Sequence, residues 1–284
     1  MERFTYSVAG KSATIDYTGA YLIDNYSGLS GADIEPTTYK GYGQNGYTMG
    51  GLTLGQRTIN IDFYLTAANA DSYYQRRKEI CSLFNPLNGA GVLTYQNNHT
   101  AKSITCIPTQ PLTIERMGLM AKCSIELTAY NPFWYDVAET AVALAGFVGG
   151  LKFPMKFDNS VRFAEKGNTA NIDIIGDVAS PIRAVFHDNA VKPKLTLQNT
   201  GEFIEIDTTI QTGEKMTITT AYGQKNVIIT KANGTSESAY HLINLNSTFF
   251  SLPIGRNNIS FSATSGEPLV ELYYRNYYVG CKRD

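Results

Sequence analysis

The sequence is short of charge. Lys, Arg, Asp and Glu make up 17% of its 284 residues, where soluble domains average roughly a quarter. The two signs nearly cancel, leaving a formal net charge of -1. A chain this close to neutral has no bulk-charge route to nucleic acid or to an anionic membrane. It also lacks any Cys-x-x-Cys pair. Cys81, Cys106, Cys123 and Cys281 stand apart, with no neighbouring histidines, which argues against zinc. Cys106 and Cys123 flank an expected hairpin that would let them face each other, but buried free thiols are the expectation in a chain of this size. Long apolar runs are missing too. The longest, Ala141 to Leu151, is too short and too Gly-rich to span a bilayer. The opening Met-Glu-Arg-Phe-Thr-Tyr runs into alternation and not into the apolar stretch of a signal peptide, so synthesis in the cytoplasm is expected. The sequons at Asn25, Asn98, Asn233, Asn246 and Asn258 reflect a chain rich in Asn, Ser and Thr.

Groups for catalysis are equally sparse. The histidines, His99, His187 and His241, lie far apart, whereas a triad or metal site needs them to converge with a nucleophile or carboxylate. Glu202 and Glu205 resemble a glycosidase pair only in spacing, which decides nothing without a cleft. No Gly-rich stretch carries the Lys-Ser/Thr of a phosphate loop. Arg76-Arg77-Lys78 reads as a solvated helix face. No catalytic, cofactor-binding or metal-binding residue is assigned, and the chain is not expected to be an enzyme.

Aromatic residues are what the sequence has in quantity: 19 Tyr and 13 Phe against a single Trp. Many tyrosines and few charges suit strands whose outer faces are covered by other subunits. A plain Tyr-rich β protein is the alternative. Phe4 to Val8 and Ala13 to Tyr17 alternate about Ala9-Gly10-Lys11-Ser12, a hairpin signal. Ser27 to Gly55 is studded with glycine and tyrosine (Gly41-Tyr-Gly43, Gly46-Tyr47, Gly50-Gly51). It is expected to be a long, loosely structured excursion, held by a partner or free as a surface loop. Arg57 to Leu65 is a strand. A helix follows, capped by Asn69 or Asp71, with Tyr73, Ile80, Phe84, Tyr74 and Cys81 as its apolar stripe, and Asn85-Pro86 ends it. Gly91 to Tyr95, Ser103 to Pro108, Leu112 to Arg116 and Lys122 to Ala129 read as strands.

Asn131-Pro-Phe-Trp-Tyr-Asp136 marks a corner at the domain seam, with a share in contacts between copies as the second reading, and the run Ala138 to Gly150 reads as a linker. From about Phe153 the spacing is that of a β-sandwich. Its strand candidates are Ala170–Ile175, Arg183–His187, Lys194–Leu197, Phe203–Ile206, Met216–Thr220, Asn226–Thr230, Phe249–Leu252, Asn258–Ser262 and Leu269–Tyr274. Gly201, Gly213, Gly223, Gly234 and Gly266 mark the turns. The fold class is mainly β: an N-terminal β-sandwich-like domain with one helix and a β-hairpin over residues 1–136, a linker over 137–150, and a second β-sandwich over 151–284.

The order of these elements carries a resemblance. The strand Arg57 to Leu65, a helix ending Leu83-Phe-Asn-Pro-Leu87, the strand Gly91-Val-Leu-Thr-Tyr95 and a hairpin closing on Tyr130-Asn-Pro-Phe-Trp-Tyr-Asp136 come first. Gly176-Asp-Val-Ala-Ser-Pro181, Pro193-Lys-Leu-Thr-Leu197, Thr200-Gly-Glu-Phe-Ile204, Phe249-Phe-Ser-Leu-Pro-Ile-Gly-Arg-Asn257 and Tyr273-Tyr-Arg-Asn-Tyr-Tyr-Val-Gly280 follow. Together they resemble the distal tail protein family of phages with long, non-contractile tails. The resemblance implies a hexameric ring built by the N-terminal domain, single or in two stacked rings, between the tail tube and the tip. It implies a galectin-like C-terminal sandwich that projects outward. Implied partners are the tail tube protein, a tail-tip or tail-associated lysin protein and a receptor-binding protein. DNA would pass through the channel without specific binding, and no membrane is involved. The chain would work at the virion tail tip after synthesis in the host cytoplasm, with no cofactor.

The second domain is the size of one plain sandwich, so no inserted sugar-binding module is expected. A carbohydrate-binding module that stacks host wall sugars on Tyr222 or Tyr240 is the alternative function, and a wall-glycan enzyme is a distant third.

Overall fold

Arg57-Thr-Ile-Asn-Ile-Asp-Phe-Tyr-Leu65 alternates, and every second side chain points inward: Ile59, Ile61, Phe63 and Leu65 are fully buried. Patterns of this kind build the protein, seen here in a computed structural model that describes residues 1–144, 146–149, 164–266 and 268–281. The expected start of strands near Phe153 lies outside the described residues, as do Ala145 and Gly150 of the expected linker. Contacts divide the chain into two compact units. One is Met1–Val137 together with the returning C-terminus from Tyr278; the other is Ala138–Tyr277.

The first unit contains β1 (Arg3–Val8), β2 (Lys11–Ile15), β3 (Tyr21–Ser27), β4 (Ile34–Tyr39), β5 (Thr48–Leu54), β6 (Arg57–Thr66), α1 (Ala70–Leu83), β7 (Gly91–Gln96), β8 (Ala101–Pro108), β9 (Thr113–Met117), β10 (Met120–Ala129) and β11 (Trp134–Asp136). Its main sheet runs β2-β1-β7-β8-β10-β6-β3, with β9 against β10 and β11 against β8. The two end strands then meet. Asp16 bridges Leu22, its N–H donating to the Tyr21 carbonyl at 3.0 Å, while the Ile23 N–H donates to the Asp16 carbonyl at 2.7 Å. The two layers of the expected sandwich are thus two halves of one sheet that curls until its ends join at this bridge, which shortens its open edges. Phe4, Tyr6, Ile15, Leu93, Tyr95, Ile104, Ile125 and Leu127 fill it alongside the β6 residues. The β1–β2 turn is two residues long, with Ala9 and Gly10 both left-handed at φ 48° and 75°. That twist matches the flanking strands.

Helix α1 starts at Asn69, not at Asp71. The Asn69 side chain accepts from the Ser72 N–H at 2.9 Å, and the Ser72 hydroxyl accepts from the Asn69 N–H at 3.2 Å, a reciprocal cap. Tyr73, Ile80, Leu83 and Phe84 are buried, while Tyr74 and Cys81 are exposed. The turn angle explains the correction, because one residue further along a helix lies about 100° round its axis.

Register separates the two hairpin cysteines. Cys106 lies opposite Gly91 on β7, whereas Cys123 lies opposite Phe63 on β6 and Ile114 on β9. All four cysteines are free thiols. Burial pushes Cys106 and Cys281 up to about 12 and Cys123 up to about 11. Because the thiolate is the reactive form, a maleimide at neutral pH should label Cys81 alone in the folded protein. Denaturation without reductant should expose four labels. A count of two under denaturing conditions would mean a disulfide.

The second unit contains β12 (Thr140–Ala143), β13 (Gly146–Gly149), β14 (Ala164–Gly167), β15 (Thr169–Ile174), β16 (Ile182–His187), β17 (Ala190–Val191), β18 (Lys194–Leu197), β19 (Phe203–Glu205), β20 (Thr209–Ile210), β21 (Lys215–Thr219), β22 (Asn226–Thr230), β23 (Ser236–Ser238), β24 (Gly255–Ser262), β25 (Ser265–Gly266) and β26 (Leu269–Tyr274). A six-stranded sheet, β12-β26-β16-β21-β22-β23, and a four-stranded sheet, β15-β24-β18-β19, share one core. Ile172, Leu195, Ile259 and Phe261 come from the smaller sheet, and Phe186, Met216, Ile218 and Leu272 from the larger. Phe186 and Phe261 meet edge to face with centroids 6.4 Å apart. This is a β-sandwich.

The glycines that mark its turns, Gly201, Gly213, Gly223, Gly234 and Gly266, all have positive φ. The expected linker and one expected strand differ from expectation. Within the linker, Thr140–Ala143 forms β12 and extends the larger sheet beside β26, and Gly146–Gly149 forms β13, paired with β14. Phe249–Leu252 is a loop tied by a single bridge, Ser180 to Leu252. Its Phe250 and Leu252 still fill the core, so the apolar pattern marked burial and not a strand.

Candidate assembly interface

The Gly/Tyr segment is an ordered two-stranded arm. Strands β4 and β5 pair with each other, from Ile34 opposite Leu54 to Tyr39 opposite Thr48, and with no other strand among the described residues. Every residue of β4, and all of β5 except Leu54, is exposed. Ile34, Tyr39, Tyr42, Tyr47, Met49 and Leu52 put large apolar side chains into solvent. The only charges from residue 33 to residue 55 are Asp33, Glu35 and Lys40. Local contacts hold the ribbon. The Gly41 N–H donates to the Gln44 side chain at 2.9 Å, and the Lys40 ammonium lies 5.4 Å from the Tyr47 ring centre. Gly50 leaves room for Tyr39, whose ring would lie 2.0 Å from any Cβ there. A lone hairpin is marginal in water. An exposed apolar surface with two unpaired backbone edges is the physical mark of a contact site.

Arg57 sits at the root of this arm. It falls in phase with the inward residues of β6 and is 1% exposed. Its Nη1 donates to the carbonyls of Gly28 (2.8 Å) and Gly31 (2.7 Å), its Nε to Pro132 (2.7 Å), and its Nη2 to Val279. Burial lowers its pKa from the usual arginine value, and the hydrogen bonds to carbonyl dipoles favour the charged fork that remains. Composition gave no sign of this. The one signal was a charged residue standing in the inward phase of an apolar strand.

The Asn131–Asp136 corner belongs to the first unit's own core. Trp134 is fully buried there, and Tyr135 and Asp136 pair with Ser103 and Lys102 on β8. The Lys102 ammonium lies 2.6 Å from the Asp136 carboxylate and 3.6 Å from the Tyr278 ring centre.

The candidates for chemistry remain scattered. His99 sits in an exposed turn, its N–H donating to the Asn97 side chain. His187 on β16 lies 3.2 Å from Glu271, and His241 is in a short 3-10 turn. Glu202 accepts from Thr200, while Glu205 pairs with Lys194 at 3.3 Å and accepts from Asn244. Arg76 is turned inward to the Thr66 carbonyl, leaving Arg77 and Lys78 as the solvated part of the basic run. Tyr222 stands 95% exposed on a turn, whereas Tyr240 stacks on Phe249 with centroids 5.8 Å apart. Among the described residues no group of His, Cys, Asp and Glu is placed to hold a metal ion. None of the described helices is long and apolar enough to cross a membrane.

Residues 18–129 match the family described as phage tail protein RIFT-related domain, and residues 175–278 match the siphovirus-type tail component, C-terminal domain. The two matches, in this order, take in more than half of the chain. The chain belongs to the siphophage distal tail proteins. It is a tail component of the siphovirus type.

No curated protein matches it in sequence. Among solved structures, the distal tail protein Dit of phage SPP1 is similar at 13% identity and a TM-score of 0.65, covering 96% of this chain and 98% of that one. SPP1 Dit is described as a paradigm of the hub adsorption apparatus in phages that infect Gram-positive bacteria. A chain of the phage p2 baseplate in its activated conformation with strontium is similar at 14% identity and a TM-score of 0.61, covering 97% and 98%. The same baseplate with calcium gives 14% and 0.60. At these identities the likeness is one of fold, and this distal tail family fold extends over nearly the whole chain.

Proposed function

We propose that this distal tail protein is a structural hub of the tail tip, without catalytic activity. In this reading, six copies form a ring, single or in two stacked layers, through the first unit. The ring joins the tail tube to the tail-tip or tail-associated lysin protein. The second unit, a galectin-like sandwich, carries receptor-binding components. The observation that supports the ring is the arm. Closed rings need a heterologous contact, one patch meeting a different patch on the next copy, and a projecting ribbon is such a patch. Native mass spectrometry of the full chain should give the mass of six or twelve subunits at micromolar concentration. A monomer under those conditions would remove the ring from the reading.

A second reading, binding of host wall sugars, is favoured by one observation: Tyr222 is nearly fully exposed on a turn of the sandwich. Tyr240, the other candidate, already has one ring face against Phe249. The hub reading expects blank results from the full chain on a wall-glycan array and in duplex-DNA retention at physiological salt, since phosphate binding needs many neutralising contacts. Saccharide binding at millimolar affinity or tighter would favour the lectin reading, and tight DNA binding would contradict a passive channel.

A further inference from the structure

We infer that Arg57 and the C-terminal segment Tyr278–Cys281 form a clasp that aims the arm, which makes them positioning elements for contact between copies although they lie away from the arm's exposed surface. This rests on the reading of the arm as the ring contact.

The argument starts from what fixes a two-stranded ribbon. Strands β4 and β5 pair only with each other and are exposed almost throughout, so no neighbouring strand sets their direction. The root alone does. On the outgoing side the root is Gly28–Asp33; on the returning side it is Leu54–Arg57. The Gly55 N–H donates to the Asp33 carbonyl at 2.8 Å and closes the ribbon's base.

Beyond the burial of Leu29 in the first core, the outgoing side is held by β6 and by the end of the chain. Gly28 has φ +88°, and a Cβ there would lie 2.0 Å from the Thr58 carbonyl oxygen, so the root is pressed onto β6. The Cys281 N–H donates to the Leu29 carbonyl at 3.0 Å. Gly280 lies against Ser30, whose carbonyl oxygen would be 2.5 Å from a Cβ at that position. The Arg57 fork then ties the layers together, taking the Gly28 and Gly31 carbonyls of the root and the Val279 carbonyl of the C-terminal segment. Lys102, over the Tyr278 ring, holds the segment's first residue. One buried cation therefore links the arm root to residues more than two hundred positions away in sequence.

Lysine cannot reproduce the clasp. It is a point charge on a flexible stem, whereas the guanidinium is a rigid fork of five donors. Loss of the C-terminal segment would leave the Leu29 carbonyl and one arm of the fork without a protein partner. Both changes act on the root, while the β6–β10 ladder stays in place.

The test uses two variants of the full protein: Arg57→Lys, and a chain ending at Tyr278. Hydrogen exchange should show amides at 28–33 and 54–56 opening at least about tenfold faster in both, as local opening requires. Amides of Ile59–Leu65 and Ala121–Leu127 should keep their protection. Native mass spectrometry should show the assembled fraction falling by a similar factor. Unchanged root protection with normal assembly in the shortened chain would overturn the inference. So would loss of protection in β6 and β10 together with the root, since the residues would then be general stabilisers. A third variant, with residues 35–53 replaced by a short Gly-Ser link, separates the two readings. If that variant still forms the ring, the arm is not the ring contact, while root exchange in the shortened chain still reports on the clasp by itself.

Discussion

Replacing residues 35–53 with a short Gly-Ser link should turn the assembled protein into free subunits, with both units still folded. The expected effect is large because the arm concentrates the exposed apolar surface of the first unit. Tyr39, Tyr42 and Tyr47 are more than half exposed, as are Ile34, Met49 and Leu52. An aromatic side chain buries roughly 150–250 Å² when covered, and stable interfaces need on the order of 1,000 Å² in total. The arm alone can supply much of that area at each contact. Its loss should weaken each contact by several kcal/mol, on the order of a hundredfold or more in affinity, even after the usual cost of association. The fold should survive, since β4 and β5 add no strand to the closed sheet. Light scattering at micromolar concentration reads the outcome directly. A linked variant that keeps the mass of the parent assembly would show that copies contact one another elsewhere.

Core truncation should be nearly as severe and confined to one unit. Phe63 is fully buried, edge-on to Tyr21 with centroids 6.0 Å apart, in the cluster that fills the curled sheet. Phe186 is fully buried against Phe261 in the cluster that fills the sandwich. Phe→Ala in a packed core costs about 3–5 kcal/mol through lost transfer energy and the cavity left behind. For units of this size that lowers a melting temperature by roughly 10 °C or more. Because the two buried clusters are separate, Phe63→Ala should lower only the first unit's calorimetric transition and Phe186→Ala only the second's. Equal shifts of both transitions by either substitution would mean that the two cores unfold as one.

A fragment ending at residue 136 lacks Val279 and Cys281, which hold the arm root. A ring contact through the first unit is therefore better tested within the full chain than in a simple N-terminal piece.

Local pattern determined most of the elements. Alternation set β1, β6, β8 and β10 because one face of each is buried and the side-chain period along a strand is two. The glycine turns of the sandwich were legible because a tight reversal needs positive φ and glycine adopts it without strain. Helix α1 was readable from its cap and its Asn-Pro stop, and the order of elements was enough to suggest the family.

Tertiary structure decided the rest. Sequence places no contact between strands distant in the chain, so it could not say that β2 and β3 would meet and close the sheet. The Gly/Tyr segment read as loose because its strands bury nothing within one subunit. Periodicity reports burial, and a ribbon exposed on both faces has none to report. Thr140–Ala143 became a strand only because β26 offered it an open edge. In the sequence Arg57 is one charge at the start of a strand. Its role comes from four carbonyls that the folded chain brings around it from the arm root, the corner at Pro132 and the C-terminus, and no local pattern encodes that convergence.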